Sequence, residues 1–145
     1  MLQIYCSPAC PPWNQPPRPP FDAALTYAQQ RETFGRPIAE HQAIQLKLAD
    51  MATRLQAARL LARDAERKVA GLRCDVEAGM AKLFASETAL ERAMESMRIH
   101  GGVGYTTEMP VARHDRDARL MVIGEGTNEI QRLVIARGLL ARAPD

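Results

Sequence analysis

One carboxylate in the 145-residue sequence has the surroundings of a general base. Glu125 lies between Gly124 and Gly126, and the next residue, Thr127, is of a type that begins helices. The two glycines favour a flexible turn with backbone N–H groups beside the carboxylate. A carboxylate that accepts a proton, next to donors that hold an anion, is suited to removing a proton beside a carbonyl group. The turn therefore predicts proton abstraction, provided that the rest of the chain supplies the surrounding site.

Three other patterns each have an ordinary structural explanation when taken alone. Arg31 and Arg36 flank a bend and could bind phosphate, although an arginine pair at a helix end is usually solvated surface. The glycine-rich segment 101–104 could cradle a phosphate, but it follows a helix, which favours a C-cap and a turn. A di-metal site in a helical bundle needs Glu-x-x-His pairs, and this sequence has none. We therefore expect no metal site.

Composition indicates one mostly helical domain. Apolar residues make up 46% of the chain and aromatic residues 5%, a mixture that favours helices over strands. The net charge is +2 with acids and bases interspersed, which excludes the basic stripe of a nucleic-acid-binding protein. The three cysteines complete no zinc site and are interpreted as unpaired thiols. Because no signal peptide or membrane-spanning window appears, we expect a soluble cytoplasmic protein.

Helices must position these residues. Seven prolines among the first 20 residues predict a disordered leader over residues 1–21, followed by one domain over residues 22–145. The apolar spacing predicts five helices, over residues 22–34, about 38–70, 74–100, 111–122 and 127–140. It predicts one apolar stripe on each of the two long helices. The stripe of the second helix consists of Ile44, Leu48, Met51, Leu55, Ala58, Ala62, Ala65 and Val69. The stripe of the third helix consists of Val76, Met80, Leu83, Leu90, Met94 and Met97, with Glu87 as its one charged residue. We see no alternating strand pattern, so the predicted fold class is all-α, an up-down four-helix bundle. Its first helix is shortened and leaves the ends of the long helices uncovered.

Several motifs occur in an order that resembles the C-terminal domain of the acyl-CoA dehydrogenases. In chain order they are Tyr27-Ala28-x-x-Arg31-x-Thr33-Phe34-Gly35-x-Pro37-Ile38, His41-Gln42, Ile99-His100-Gly101-Gly102-x-Gly104-Tyr105, Arg116-Asp117-Ala118-Arg119 and Glu125-Gly126-Thr127-x-Glu129-Ile130-Gln131-Arg132. The resemblance covers about residues 22–142. It is specific because the separated motifs occur together at the right spacing, whereas any one of them alone is weak evidence.

The resemblance implies an FAD enzyme of fatty acid metabolism that oxidises an acyl-CoA thioester to the trans-2-enoyl-CoA. Glu125 matches the catalytic base that removes the α-proton while the β-hydride passes to the flavin. The backbone N–H of Glu125 would help to polarise the thioester carbonyl. Gly124 and Gly126 are implied neighbours of the substrate. Gly124 stands where the family commonly has an aromatic residue, and this difference would widen the acyl pocket.

The resemblance also implies the cofactor-binding residues. Contacts to FAD in the same subunit are matched by Thr127, Asn128 and Glu129. Contacts to the FAD of a neighbouring subunit are matched by Arg31, Thr33, Phe34, His41, Gln42, Arg98 and Gly102. Arg98 stands where glutamine is usual. Because such sites are shared between subunits, the resemblance implies a homodimer or homotetramer built through the helical bundle.

The sequence departs from the family pattern most strongly in its length. The N-terminal helical domain and the middle β-domain, which hold the flavin ring and much of the acyl-CoA, have no counterpart in it. The resemblance therefore implies that the isolated chain is inactive. Two alternatives remain open: a non-catalytic helical oligomerisation module, and a subunit that a separate flavoprotein chain completes in trans.

Overall fold

The structure is a computed structural model that describes residues 20–69 and 74–141. Its α-helices are α1 (Pro20–Gln30), α2 (Gln42–Val69), α3 (Asp75–His100), α4 (Val111–Met121) and α5 (Asn128–Leu140). Two short 3-10 segments, Ile38–Glu40 and Gly101–Tyr105, precede α2 and follow α3. The predicted all-α class is confirmed, and α1 is short, with 11 residues against 28 in α2.

The ends of the described chain bear on two further predictions. Pro20 and Phe21, which we assigned to the proline-rich leader, belong to α1. The rest of that predicted leader, residues 1–19, lies outside the described residues. Among the described residues, no helix is long and apolar enough to cross a membrane.

A small hairpin replaces the end of the first predicted helix. The prediction of helix through residue 34 was wrong, because α1 ends at Gln30 and two short strands follow. These strands, β1 (Glu32–Thr33) and β2 (Arg36–Pro37), pair antiparallel. Phe34 and Gly35 between them both have positive φ, 53° and 77°, and this conformation closes a two-residue hairpin turn. The turn projects the Phe34 side chain into solvent.

Helix α3 lies at the centre of the molecule, and α1, α2, α4 and α5 each pack against it. Because several faces of α3 are covered, it buries small residues all around rather than one large apolar stripe; they include Gly79, Ala81, Ala93 and Ser96. The single stripe that we predicted for α3 was therefore wrong at Met94, which is 37% exposed. On α2, by contrast, the predicted stripe is confirmed by the buried residues Met51, Leu55 and Ala58.

Ion pairs link α3 to its neighbours. Glu87, the one charged residue within the predicted apolar stripe of α3, pairs with Arg132 on α5. Lys47 on α2 pairs with Glu95, which also accepts a hydrogen bond from Arg98. Partial burial alone would raise the pKa of Glu95, but the hydrogen bonds and positive charges of Lys47 and Arg98 outweigh it and lower that pKa. Pairs of this partly exposed kind contribute about 0.2–1 kcal/mol each.

Two glycines allow α3 and α5 to approach closely. An ideal Cβ placed on Gly138 of α5 would lie 2.2 Å from Cγ2 of Val76, which is buried on α3. On the facing side, a Cβ on Gly79 of α3 would lie 3.1 Å from Cγ1 of Ile135. Since two non-bonded carbon atoms cannot approach to 2.2 Å, the spacing of α3 and α5 depends on glycine at position 138.

We expect Gly138→Ala to destabilise the domain, although alanine is the better helix former. Overpacking typically costs about 1–3 kcal/mol, and the gain in helix propensity offsets about 1 kcal/mol of it. Urea unfolding should therefore show a net loss of about 1 kcal/mol. Gly102→Ala is the matched control, because its added Cβ meets no atom within 4 Å.

A double-mutant cycle with Val76→Ala identifies the contact responsible. Val76→Ala removes the methyl group that the new Cβ would meet, so Gly138→Ala should cost markedly less in that background. If Gly138→Ala costs the same in both backgrounds, the contact with Val76 does not set the helix spacing.

Candidate functional site

The turn between α4 and α5 carries Glu125 in a left-handed conformation, with φ of 55°. The backbone N–H of Asn128 donates to the carbonyl of Val122 at 3.0 Å and closes the turn. The side-chain Nε2 of Gln131 donates to the carbonyl of Glu125 at 3.3 Å. A residue with a Cβ pays about 1–2 kcal/mol for this backbone conformation, so the surrounding contacts must hold it there.

The glycines on either side of Glu125 serve the turn in different ways. Gly126 has φ of 86°, a conformation that glycine adopts without strain. The backbone N–H of Gly124 donates to the carbonyl of Leu120 at 2.8 Å, which caps the end of α4. The sequence suggested that the N–H groups of this turn could hold an anion, but that of Gly124 is already used within the protein.

Helix α5 begins next to this turn. Thr127 is its N-cap, as the sequence predicted, and its hydroxyl accepts a hydrogen bond from the N–H of Ile130 at 3.4 Å. The neighbouring Glu129 is exposed. A hydrogen bond from its own backbone N–H, followed by one from the Thr127 hydroxyl, lowers the pKa of Glu129. Two of the three residues matched to same-subunit FAD contacts therefore lie at an accessible helix N-terminus.

The third of these residues, Asn128, points inward instead. It is only 5% exposed, and its Oδ1 accepts hydrogen bonds from Lys82 Nζ at 2.8 Å and Ser86 Oγ at 2.9 Å. Burial lowers the pKa of Lys82, while the negative charges of Glu129 and Glu125 act in the opposite direction. Sequence reasoning missed both partners, although a polar pair four residues apart marks one face of α3.

A cavity of about 280 Å³ opens beside the turn, between α2, α3 and α4. Its walls are mainly apolar and include Leu55, Ala58, Ala85, Ala89 and Met121. Gly124, Glu125 and Lys82 also line it, so the candidate base borders an apolar space. Concave apolar sites with a few polar groups are typical of small-molecule binding.

The hairpin forms a second cluster of candidate residues around His41. Arg36 Nη2 lies 3.2 Å from His41 Nδ1, and Thr33 Oγ1 lies 2.9 Å from His41 Nε2. Because a guanidinium can only donate, this geometry fits the His41 tautomer in which Nδ1 accepts from Arg36 and Nε2–H donates to the Thr33 hydroxyl. Phe34 is 96% exposed. Its ring lies edge-on to that of His41, with the two ring centroids 6.2 Å apart.

The remaining predicted residues surround this hairpin cluster. Arg31 and Gln42 are exposed beside the strands. Tyr27 on α1 stacks on His100 at the end of α3, with ring centroids 4.4 Å apart. The end of α3 therefore lies near the hairpin, and with it two exposed candidate residues, Arg98 and Gly102.

The predicted residues thus fall into two separate clusters. The turn cluster contacts α3 at Ser86, and Tyr27, near the end of the helix that leads into the hairpin, contacts α3 at His100. Fourteen residues of helix separate these points, or about 21 Å. Within the described part of the chain, Phe34 and Glu125 are the non-glycine residues with positive φ, and each cluster contains one of them. Residues 20–69 and 74–141 contain no group of three or more His, Cys, Asp or Glu side chains that could hold a metal ion.

Comparison with known proteins identifies the family. A model of the acyl-CoA dehydrogenase C-terminal domain matches residues 18–140. An acyl-CoA dehydrogenase of Bacillus subtilis is 53% identical over 121 residues, covering 83% of this chain and 32% of that protein. Butyryl-CoA dehydrogenase from Megasphaera elsdenii has a TM-score of 0.82 at 43% identity, over 83% of this chain and 32% of that one. The structure of an FAD complex of PigA has a TM-score of 0.80 at 31% identity, over 86% of this chain and 33% of that one.

The chain spans about a third of the length of these relatives. The matched segment contains all five described helices together with the hairpin and turn clusters. The family resemblance seen in the sequence motifs is therefore confirmed by sequence and by fold. The chain belongs to the acyl-CoA dehydrogenase family and corresponds to its C-terminal domain.

Proposed function

We propose that this domain supplies the catalytic base and part of the FAD site of an acyl-CoA dehydrogenase. The observation that carries the proposal is the placement of Glu125, on a closed turn at the wall of an apolar cavity. In the proposed reaction the Glu125 carboxylate takes the α-proton of an acyl-CoA thioester. Its backbone N–H would stabilise the negative charge that develops on the thioester oxygen. Gly124 and Gly126 would border the acyl chain.

The two clusters fit the cofactor in different ways. Bound FAD would supply the acceptor for the β-hydride. Thr127 and Glu129, at the accessible start of α5, would hold the cofactor of the same chain. A contact of Asn128 with the cofactor would use its side-chain NH2 group, because its oxygen is occupied inside the protein.

The hairpin cluster would contact the cofactor of a neighbouring chain. The Arg31 guanidinium suits a pyrophosphate. The exposed Phe34 ring offers an apolar surface in the same cluster. The other members of this proposed contact are Thr33, His41, Gln42, Arg98 and Gly102. The two clusters lie about 21 Å apart along α3, and their assignment to two different cofactors rests on the family resemblance.

The 145-residue chain alone should not dehydrogenate acyl-CoA, because a site of this kind needs the remaining two thirds of its relatives' length. A chimera tests Glu125 directly: residues 22–141 replace the corresponding segment of the Bacillus subtilis relative. We expect this chimera to reduce an electron acceptor in the presence of acyl-CoA. Glu125→Gln should then lower kcat by about 10²–10⁴-fold, the usual contribution of a general base.

Glu108→Gln is the matched control in the chimera, because Glu108 is another exposed carboxylate on a turn. This variant should retain the activity of the unmodified chimera. A chimera that keeps its full rate with Glu125→Gln would exclude Glu125 as the base.

A second candidate function is helical assembly without catalysis. One observation favours it: α5 exposes a set of large apolar side chains, namely Ile130, Leu133, Leu139 and Leu140. Exposed apolar side chains grouped on one helix are typical of a protein–protein interface, and identical chains most often associate symmetrically.

Sedimentation velocity tests the assembly through α5. We expect the purified chain to be a dimer or larger, and Leu133→Glu to shift it towards monomer, because a charge would be buried in the interface. Leu46→Glu, at an exposed leucine on α2, should have a smaller effect. Titration with FAD separates the two functions: stoichiometric binding supports a cofactor site, and a monomeric wild-type chain contradicts assembly.

The left-handed backbone conformation of Glu125 should lower the stability of the domain, although the proposed function requires a carboxylate at this position. Because glycine adopts positive φ without strain, we expect Glu125→Gly to be about 1 kcal/mol more stable than Glu125→Gln in urea unfolding. Both variants lack the carboxylate, so the comparison isolates the backbone conformation from the charge. Equal stabilities would show that the left-handed conformation is unstrained in this turn.

A further inference from the structure

We propose that Lys82 is a positioning residue for the turn that carries Glu125, and that it acts through the side chain of Asn128. The functional meaning of this inference rests on the proposed role of Glu125. The contacts that carry it, however, all lie within this chain and require neither FAD nor substrate.

The hydrogen bonds of Asn128 connect three elements. Its side-chain oxygen accepts from Lys82 and Ser86 on α3, and its backbone N–H donates to Val122 at the end of α4. Asn128 is also the first residue of α5. Since an ammonium group can only donate, Lys82 fixes which atom of the Asn128 amide faces α3. Val122 and Asn128, the two ends of the Glu125 turn, are therefore bonded to each other, and Asn128 connects both of them to the central helix.

The charge of Lys82 adds to this connection. Lys82 lines the same cavity as Glu125, and its ammonium group attracts the carboxylates of both Glu125 and Glu129. Glu125 and Glu129 lie on either side of Asn128 in the chain. Lys82 therefore holds residues 125–129 by a hydrogen bond to Asn128 and by electrostatic attraction to the two carboxylates. Hydrogen bonds to charged groups are among the stronger ones in proteins.

Hydrogen exchange of the backbone amides tests the connection in the 145-residue chain. We expect Lys82→Met to speed the exchange of residues 122–128 by roughly tenfold or more, because the turn opens more often without its tether. Exchange in the middle of α2 is governed by global unfolding, so it should change only by the factor that urea unfolding of the same variant gives. Lys82→Arg, which keeps a charged donor, should restore most of the protection.

Two further variants keep the test decisive. Ser86→Ala removes the other donor to Asn128 and should cause a weaker increase over the same residues, even if Lys82→Met does not fold. Lys47→Met is the matched control, because Lys47 joins α2 to α3 through Glu95 and has no part in the turn. Unchanged exchange of residues 122–128 in both Lys82→Met and Ser86→Ala would overturn the proposal.

The chimera links the tether to catalysis. Lys82→Met should lower kcat by about tenfold and change KM by less than twofold, since a misplaced base affects the chemical step more than binding. Faster exchange with an unchanged kcat would show that the tether exists but does not serve Glu125. Faster exchange together with an inactive chimera would count against the proposed function and leave the tether intact.

Discussion

Close packing of the other helices around α3 is the constraint on which the rest of the structure depends. The contact of Gly138 with Val76 sets the spacing of α3 and α5 near one end of α3. Ten residues further along α3, or about 15 Å, Ser86 meets Asn128. A slip of α5 by one residue would move it about 1.5 Å and break that hydrogen bond. The placement of Glu125 is therefore determined partly by a contact between two apolar helix faces well away from it.

This packing also explains what could be predicted from the sequence. The stripe of α2 and the N-cap at Thr127 are local patterns, and both are confirmed. The contacts between α3 and α5 are not local. Lys82 and Asn128 are 46 residues apart, so helical periodicity carries no information that they meet. Met94 is exposed for a related reason, because four neighbouring helices, rather than one apolar stripe, decide which residues α3 buries.

The hairpin shows a different limit of sequence reasoning. The first helix was predicted to continue through residue 34, whereas α1 ends at Gln30, because the two-residue strands that follow are too short to show an alternating pattern. The positive φ of Phe34 could not be read from the sequence either, since aromatic residues rarely adopt it. The family resemblance nevertheless selected residues of both clusters as candidates. Motifs that span a whole domain thus selected two clusters of candidate residues that local propensity described poorly.

The separation of the two clusters along α3 has a genetic consequence. If each cofactor takes its hairpin contacts from one chain and its turn contacts from the other, two defective alleles can complement each other. In a dimer that pairs a chain altered at Arg31 with a chain altered at Glu125, one site receives both defects. The other site receives an intact hairpin and an intact base. A mixed dimer of this kind would keep about half of its cofactor sites intact, whereas a dimer of two identical altered chains would have no intact site.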